Sequence, residues 1–200
     1  MKNQNAVSTQ TMPMVALRGL VLFPNTVTSV DIARERSLGA IRRAMEGDGR
    51  FFAVAQRDSM VDHPSGTDLY AMGTIAHIKH IVQQPDQSLR VLVEGEKRAL
   101  LLSVLEDEDS QAAVILPKDE PQEIADTNQK AIMRTIVSFV KSILNKRATP
   151  MPELIQAISC EKDPRCFADV VAAGVLTGLA ERQQILECSD DEERLNLLLK

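Results

Sequence analysis

Few side chains in this 200-residue sequence are placed to do chemistry. They are His77 and His80 in "HIKH", the thiols Cys160, Cys166 and Cys188, and two acidic runs, "EDED" at 106–109 and "DDEE" at 190–193. Paired imidazoles or thiolates can hold a metal ion, and paired carboxylates can trade protons. The spacing argues against each. On a strand, residues three apart point to opposite faces, so the His77 and His80 rings are expected to diverge. His63 precedes a proline in a loop. Five residues separate Cys160 from Cys166, whereas zinc ligands typically stand two to four residues apart. These two thiols are expected on different helices, buried and reduced. The acidic runs lie in turn-like, polar sequence where carboxylates stay solvated, and the second suits a helix start, which favours negative charge.

Other chemistry lacks its signature. No Gly-Lys pair exists to close a phosphate loop, and no G-x-S-x-G elbow presents a serine. The basic residues of "RERSLGAIRRAME" are diluted by Glu35 and Glu46 and have no aromatic platform on which bases could stack. With a net charge of −5, nothing points to nucleic acid. No catalytic, cofactor-binding or metal-binding residue is expected, and these residues are not read as an enzyme.

The elements that would have to position a site fall into two groups. Up to about residue 118 the apolar residues alternate with a period near two. Strands are expected over Met14–Leu17, Val27–Ile32, Phe51–Ala55, Leu69–Val82, Leu89–Val93, Ala99–Leu105 and Ala112–Leu116, separated by turn formers such as Pro24-Asn25, Pro85-Asp86 and Glu94-Gly95. One helix interrupts them. It presents Leu38, Ile41 and Met45 as its apolar stripe, and Gly47 ends it in a left-handed conformation. Beyond Pro121 the period becomes helical. A long helix over 124–146 carries Ile132, Ile136, Val140 and Ile143, with Phe139 beside them, and Pro150 and Pro152 break it. A short helix around Leu154, Ile155 and Ile158 follows. The next starts at Asp163-Pro164, where Asp caps and Pro suits the first helical position. "LAERQQILE" makes another helix, and Ser189 with Glu192 reads as a capping box for the last one, which carries Leu195, Leu198 and Leu199.

The fold class expected is α+β: a β-rich subdomain, mixed strands plus one helix, over 12–118, and an all-α helical bundle over 124–200. A flexible tail over 1–11 and a linker over 119–123 complete the division. The last helix, ending on apolar residues with no stop signal, is expected to be cut, so that the sequence is a fragment. Three cysteines in no dense framework suit a reducing compartment. The start "MKNQNAVSTQTMP" resembles no secretory or transit signal. No apolar run approaches about 18 residues, so no membrane span is expected. A cytoplasmic protein of the bacterial type follows.

Several stretches together resemble the Lon family of ATP-dependent proteases. "PMVALRGLVLFPNTV" is similar to the family's opening through Pro13, Leu17, Arg18, Phe23 and Pro24. "DLYAMGTIAHI" supplies Gly73-Thr74, and "RVLVEGEKRALL" supplies Glu94, Gly95 and Arg98, the most specific match. "FADVVAAGVLTGLAERQQILECSDDEERLNLLL" is similar to the helical segment before the family's long coiled helix. Ala16 stands where the family usually has Pro, Ala33 where it has Gly, and a Met-Pro or Leu-Pro is missing from "GVLTGLAE". The resemblance implies a PUA-like β-rich subdomain and a helical one. It implies a homohexameric parent whose ATPase, using ATP and Mg, and Ser-Lys peptidase lie beyond Lys200. The domain would help recognise unfolded or degron-bearing proteins and support hexamer assembly, with those proteins, the parent's own downstream ATPase domain and other copies of the chain as partners.

The motif residues read as scaffold. Arg18 ends a strand and can pair with a carboxylate, Phe23-Pro24 fixes a turn, Gly73 marks a bulge, and Glu94-Gly95 makes a hairpin. A surface for misfolded chains needs exposed apolar side chains. The candidates are Leu20, Leu22, Phe23, Met60 and Met72, with the charged helix face of Arg34, Glu35, Arg36, Arg42 and Arg43. The competing readings are a free-standing PUA-like adaptor binding RNA or a small ligand, and a small enzyme. The first is disfavoured by the acidic balance and by the single Tyr and absent Trp; the second requires a pocket of convergent polar groups.

Overall fold

The computed structural model describes residues 8–107, 109–120, 123–144 and 151–200. The chain divides into two compact units, Met1–Asp119 and Glu120–Lys200.

Among the described residues, unit 1 holds six strands, one α-helix and a single 3-10 turn, Gly66–Asp68. The strands are β1 (Gln10–Leu17), β2 (Val27–Ile32), β3 (Arg50–Ala55), β4 (Met72–Gln83), β5 (Leu89–Glu106) and β6 (Gln111–Pro117), with helix α1 (Glu35–Glu46) between β2 and β3. They lie in the order β2-β5-β4-β3-β1-β6, and β6 pairs again with β5, so the sheet closes on itself. All pairings are antiparallel except β1 with β3. Strand β1 starts at Gln10, which pairs with Ile115, so Gln10 and Thr11 belong to the sheet and not to a tail.

Closure depends on β5. The turn expected at Glu94-Gly95 does not exist: β5 is one strand of 18 residues, serving β2 with its first half, β6 with its second, and β4 along most of its length. Gly95 is required by a close approach. A Cβ there would stand 2.1 Å from the Phe23 carbonyl oxygen. Gly73 likewise marks no bulge. It pairs regularly with Ala99, and its missing side chain makes room for the Phe52 ring and the Ala53 carbonyl. The register of β4 shifts instead at Ile75/Ala76 and Ile78/His80.

Strands β1 and β3 are buried on both faces. Val15, Leu17, Phe51 and Ala53 pack towards one core with Ile41 of α1, Val91 and Val93. Met14, Ala16, Phe52 and Val54 pack into another with Ala99, Ala113 and Ile115. Both-sided burial is why "MVAL" and "FFAVA" read as continuous apolar runs.

Helix α1 lies one step round from the stripe expected. Ser37, Ala40, Ile41 and Ala44 are buried, whereas Met45 is 54% exposed. Small residues face inward because the helix sits close: a Cβ on Gly39 would meet the Asp109 carbonyl oxygen at 2.0 Å. Helix α1 stops at Glu46, but Gly47 has φ −100°. The left-handed residue is Gly49, at φ +78°, and the N–H groups of both glycines donate to the Ala44 carbonyl.

Unit 2 contains α2 (Thr127–Leu144), α3 (Pro152–Cys160), α4 (Pro164–Val175), α5 (Leu179–Glu187) and α6 (Asp191–Leu197). Positions 145–146 of the expected long helix, with Pro121 and Pro150, lie outside the described residues. In α2 the buried face is Met133, Ile136, Val140 and Leu144; Ile143 and Phe139, expected to join the stripe, are 48% and 59% exposed. The Asp163 carboxylate accepts from the N–H groups of Arg165 and Cys166, as its position before Pro164 predicts. Helix α6 is capped by Asp190, whose Oδ1 accepts from the Glu193 N–H, and not by Ser189. It ends at Leu197, before Leu198 and Leu199. The cysteines are free, but Cys160 is exposed and the other two are half-buried, so none is a core thiol.

Helices α4 and α5 end without glycine, and arginines from the following helix bind their last carbonyls. Arg182 Nε of α5 donates to Leu176 O at 2.8 Å, and Arg194 Nε of α6 donates to Cys188 O at 3.1 Å. Helix ends leave such carbonyls without partners in their own helix. Arg194 is fully buried and also meets Glu120 at 3.1 Å and Asp191 at 3.7 Å. Arg165 binds Asp191 at 2.7 Å. Burial disfavours the Arg165 charge, but hydrogen bonding to Asp191 and the nearness of Glu123 and Glu120 outweigh it and raise the pKa of its guanidinium.

Candidate functional site

The motif residues scattered along the sequence form one packed knot in unit 1. Thr74 Oγ1 donates to Leu22 O at 2.6 Å. The Asn25 N–H donates to Gly95 O at 2.8 Å, and the Gly95 N–H to Thr26 O at 2.9 Å. Thr26 Oγ1 donates to Phe23 O at 2.7 Å. The Phe-Pro turn is thus laid against β5 by its backbone, with Asn25 at φ 56°. Leu17 and Pro24 are buried, Pro13 pairs with Ala112, and Arg98 is 2% exposed, its carbonyl accepting from the Lys118 N–H. Glu94 forms an ion pair with Lys79, which holds its carboxyl below the usual range.

This knot corrects part of the expected surface. Leu22 and Phe23 are 3% and 0% exposed. Their side chains are buried and their carbonyls accept from Thr74 and Thr26, so they cannot meet a partner. Met72 is half-buried on β4 opposite Leu100.

Of the remaining candidates, Leu20, Arg34, Glu35, Arg36 and Arg42 line two open cavities, and Met60 and Arg43 line neither. Val15–Arg18, Leu20, Ser29–Arg34 and Ser37 line one of about 310 Å³. Arg34, Glu35, Arg36, Arg42, Asp62 and His63 are among those lining the other, about 520 Å³. Arg34 stands at both. Its Nη1 donates to Gln56 Oε1 at 2.7 Å and its Nη2 to the Ala16 carbonyl. Burial, then the neighbouring charge of Arg18, lowers its pKa, against the pull of Asp62. Arg18 binds Asp62 at 2.5 Å, which holds that carboxyl below its ordinary value, so the expected carboxylate partner exists. Arg36 and Arg43 pair outward with Glu106 and Asp107.

Sequence reasoning missed Gln56. It is fully buried at the end of β3, and its Nε2 donates to Asp58 O at 3.3 Å and Val61 O at 2.9 Å. The loop from Arg57 to Pro64 is therefore tied down at its base, while the Met60 N–H donates to Asp58 Oδ1 at 2.8 Å within it. Met60 projects from this fixed loop at 83% exposure. A single polar residue closing the apolar run "RFFAVAQ" was the available signal.

What these surfaces offer is apolar and charged contact, not bond-breaking geometry. Among the described residues, no three His, Cys, Asp or Glu side chains gather as metal ligands, and no helix is long and apolar enough to cross a membrane.

Residues 11–200 match the family model described as the ATP-dependent protease La (LON) substrate-binding domain. The chain belongs to the LON substrate-binding domain family. Over 193 residues it is 33% identical to a Lon protease of Xanthomonas oryzae pv. oryzae, covering 94% of this chain and 22% of that one. It is 32% identical over 188 residues to the Lon protease of Escherichia coli K12, covering 24% of that protein. The chain thus spans about a quarter of the curated relatives it matches. Two solved LON-family domains share the fold. The N-terminal domain of a Mycobacterium avium complex Lon protease superposes with TM-score 0.75 at 20% identity, over 95% of this chain and 96% of that one. A Lon N-terminal domain protein from Xanthomonas campestris gives 0.68 at 15%, over 95% and 97%. The LON family match is to the substrate-binding domain and not to a catalytic one.

Proposed function

We propose that this chain is the non-catalytic substrate-recognition domain of an ATP-dependent serine protease that degrades misfolded and regulatory proteins in the cytoplasm. The match of residues 11–200 to a substrate-binding family carries the reading. The relatives are four to five times longer, which leaves room in such a parent for an ATPase using ATP and Mg and for a Ser-Lys peptidase.

Capture in unit 1 uses what is exposed and held still. Met60 offers an adaptable apolar contact on a loop fixed by Gln56 and Arg18. Beside it, the cavity reaching Leu20 and the charged rim of Arg34, Glu35, Arg36 and Arg42 accept a chain that displays both apolar and polar groups. Such contacts are weak singly. A hexameric parent compensates by raising effective concentration, so a substrate released by one copy meets another.

The test is titration of the isolated chain with a reduced, alkylated globular protein, with ATP and casein turnover measured in parallel. Weak saturable binding without turnover is expected, and Met60→Ser weakens it. No binding to any denatured protein, or turnover by the chain alone, overturns the proposal.

A further inference from the structure

Unit 2 carries a groove of about 590 Å³ that the candidate surface of unit 1 does not include. Its floor is Met133 and Val137 of α2, Ile158 of α3 and Phe167 of α4, with Ile124, 82% exposed, at the mouth. Lys130, Arg134, Lys141 and Lys162 line its rim. Lys130, Arg134, Val137 and Lys141 are spaced by four, three and four along α2, which stacks them on one face of the helix.

The charge of this rim is unspent. Unit 2's other described arginines are engaged internally: Arg165 with Asp191, Arg182 with Leu176 O, and Arg194 with Cys188 O. Among the described residues no carboxylate pairs with the side chains of Lys130, Arg134, Lys141 or Lys162. The single acidic lining residue, Glu161, turns Oε1 onto the N–H groups of Lys162 and Asp163, at 2.7 and 2.9 Å. Four cations thus surround an apolar floor on a unit whose part of the sequence holds most of the net negative charge.

We propose that this groove docks a peptide segment whose apolar side chains are flanked by carboxylates: the apolar groups enter over Val137 and Ile158, and the carboxylates meet Lys130, Arg134, Lys141 and Lys162. It rests on the reading of the chain as a substrate recogniser, and adds a second, charge-selective site to it. A bare polyanion does not suit the groove, because the floor is apolar.

The test uses the full chain and two short fluorescein-labelled peptides with the same Leu and Phe positions, one with Glu and one with Lys between them, read by fluorescence anisotropy. The Glu peptide is expected to bind at least roughly tenfold tighter, and more weakly as salt rises. Arg134→Glu with Lys141→Glu is expected to abolish that preference. Both side chains are exposed and, among the described residues, without partners, and the milder Arg134→Gln with Lys141→Gln should give an intermediate loss. Equal binding of the two peptides overturns the proposal. So does unchanged affinity in both variants, equally good competition by polyglutamate or single-stranded RNA, or a self-association of the chain that the Glu variant dissolves while neither peptide binds. A Glu variant that still holds reduced, alkylated protein through unit 1, with the peptide preference present in wild type and lost in the variant, separates the two sites. A wild type that binds the Glu peptide but no denatured protein overturns the general reading and leaves the groove standing.

Discussion

In unit 1 the strands satisfy one another's backbone groups, and the decisive positions are those where a side chain is missing. Gly39, Gly73 and Gly95 let α1, Phe52 and the Phe23 turn approach backbone or ring more closely than a Cβ allows. In unit 2 the helices are short, and the decisive positions are long side chains. Arg182 and Arg194 reach back to the carbonyl ends of the preceding helices, and Arg165 ties α4 to α6 through Asp191. One unit is specified by absence of volume, the other by donors carried on arginine. The two should therefore fail under different substitutions, and each failure should stay in its own unit.

The largest effect is expected from Arg194→Met. It strips a fully buried cation from the Cys188 carbonyl and from Glu120, and costs unit 2 about 3 kcal/mol or more. Thermal unfolding followed by hydrogen exchange should show α4–α6 losing protection while β1–β6 keep theirs. Simultaneous loss in both units would break the contrast. Gly95→Ala is the mirror experiment. Its Cβ meets backbone at 2.1 Å, where nothing flexible can yield, and overpacking of this kind costs about 1–3 kcal/mol. Protection should fall in the Phe23-Pro24 turn and in β4 and β5, and not in unit 2. Gln56→Leu removes donors from two loop carbonyls and a partner from Arg34, at about 1–2 kcal/mol. Limited proteolysis should then cut between Arg57 and Pro64 faster, with the rest of unit 1 intact.

Smaller effects sharpen the picture. Arg18 depresses the Asp62 pKa, so the pair stabilises the loop fully above the ordinary aspartate value and stops doing so as pH falls through the lowered one. Loop protection should therefore decline in acid, and Asp62→Asn should lose that dependence. Last, burial first of all pushes the Cys188 thiol up. Alkylation at neutral pH should label exposed Cys160 well before Cys188. The reverse order would place Cys188 in solvent and not half-buried at the end of α5.

Local signals were readable from the sequence and distant ones were not. Asp163-Pro164 announces a helix start because cap and helix are neighbours, and the alternation around β2 and β6 gives their bounds closely. Gly95 reads as a turn because the residue it accommodates, Phe23, is remote in sequence; only the fold shows that glycine there means proximity. Helix α1 misleads for the same reason. Hydrophobicity favours Met45 as the inward residue, but the tight seat against Asp109, in the connection between β5 and β6, admits Ala40 and Ala44. Of the candidate surface, Met60 is exposed and Arg34 lines both cavities, whereas Leu22 and Phe23, which read as loop apolars, are core. The groove on α2 escaped notice because its floor comes from three helices, and periodicity reports one helix at a time.

The pairing of Gln10 with Ile115 sets an order of events during synthesis. The first strand of unit 1 finds its final neighbour only when the last strand of that unit has left the ribosome. Until then β1 can lean only on β3, and the ring stands ajar. Contacts this remote in sequence form slowly, so a nascent chain of this protein presents a half-built sheet for most of the time its first unit is being translated.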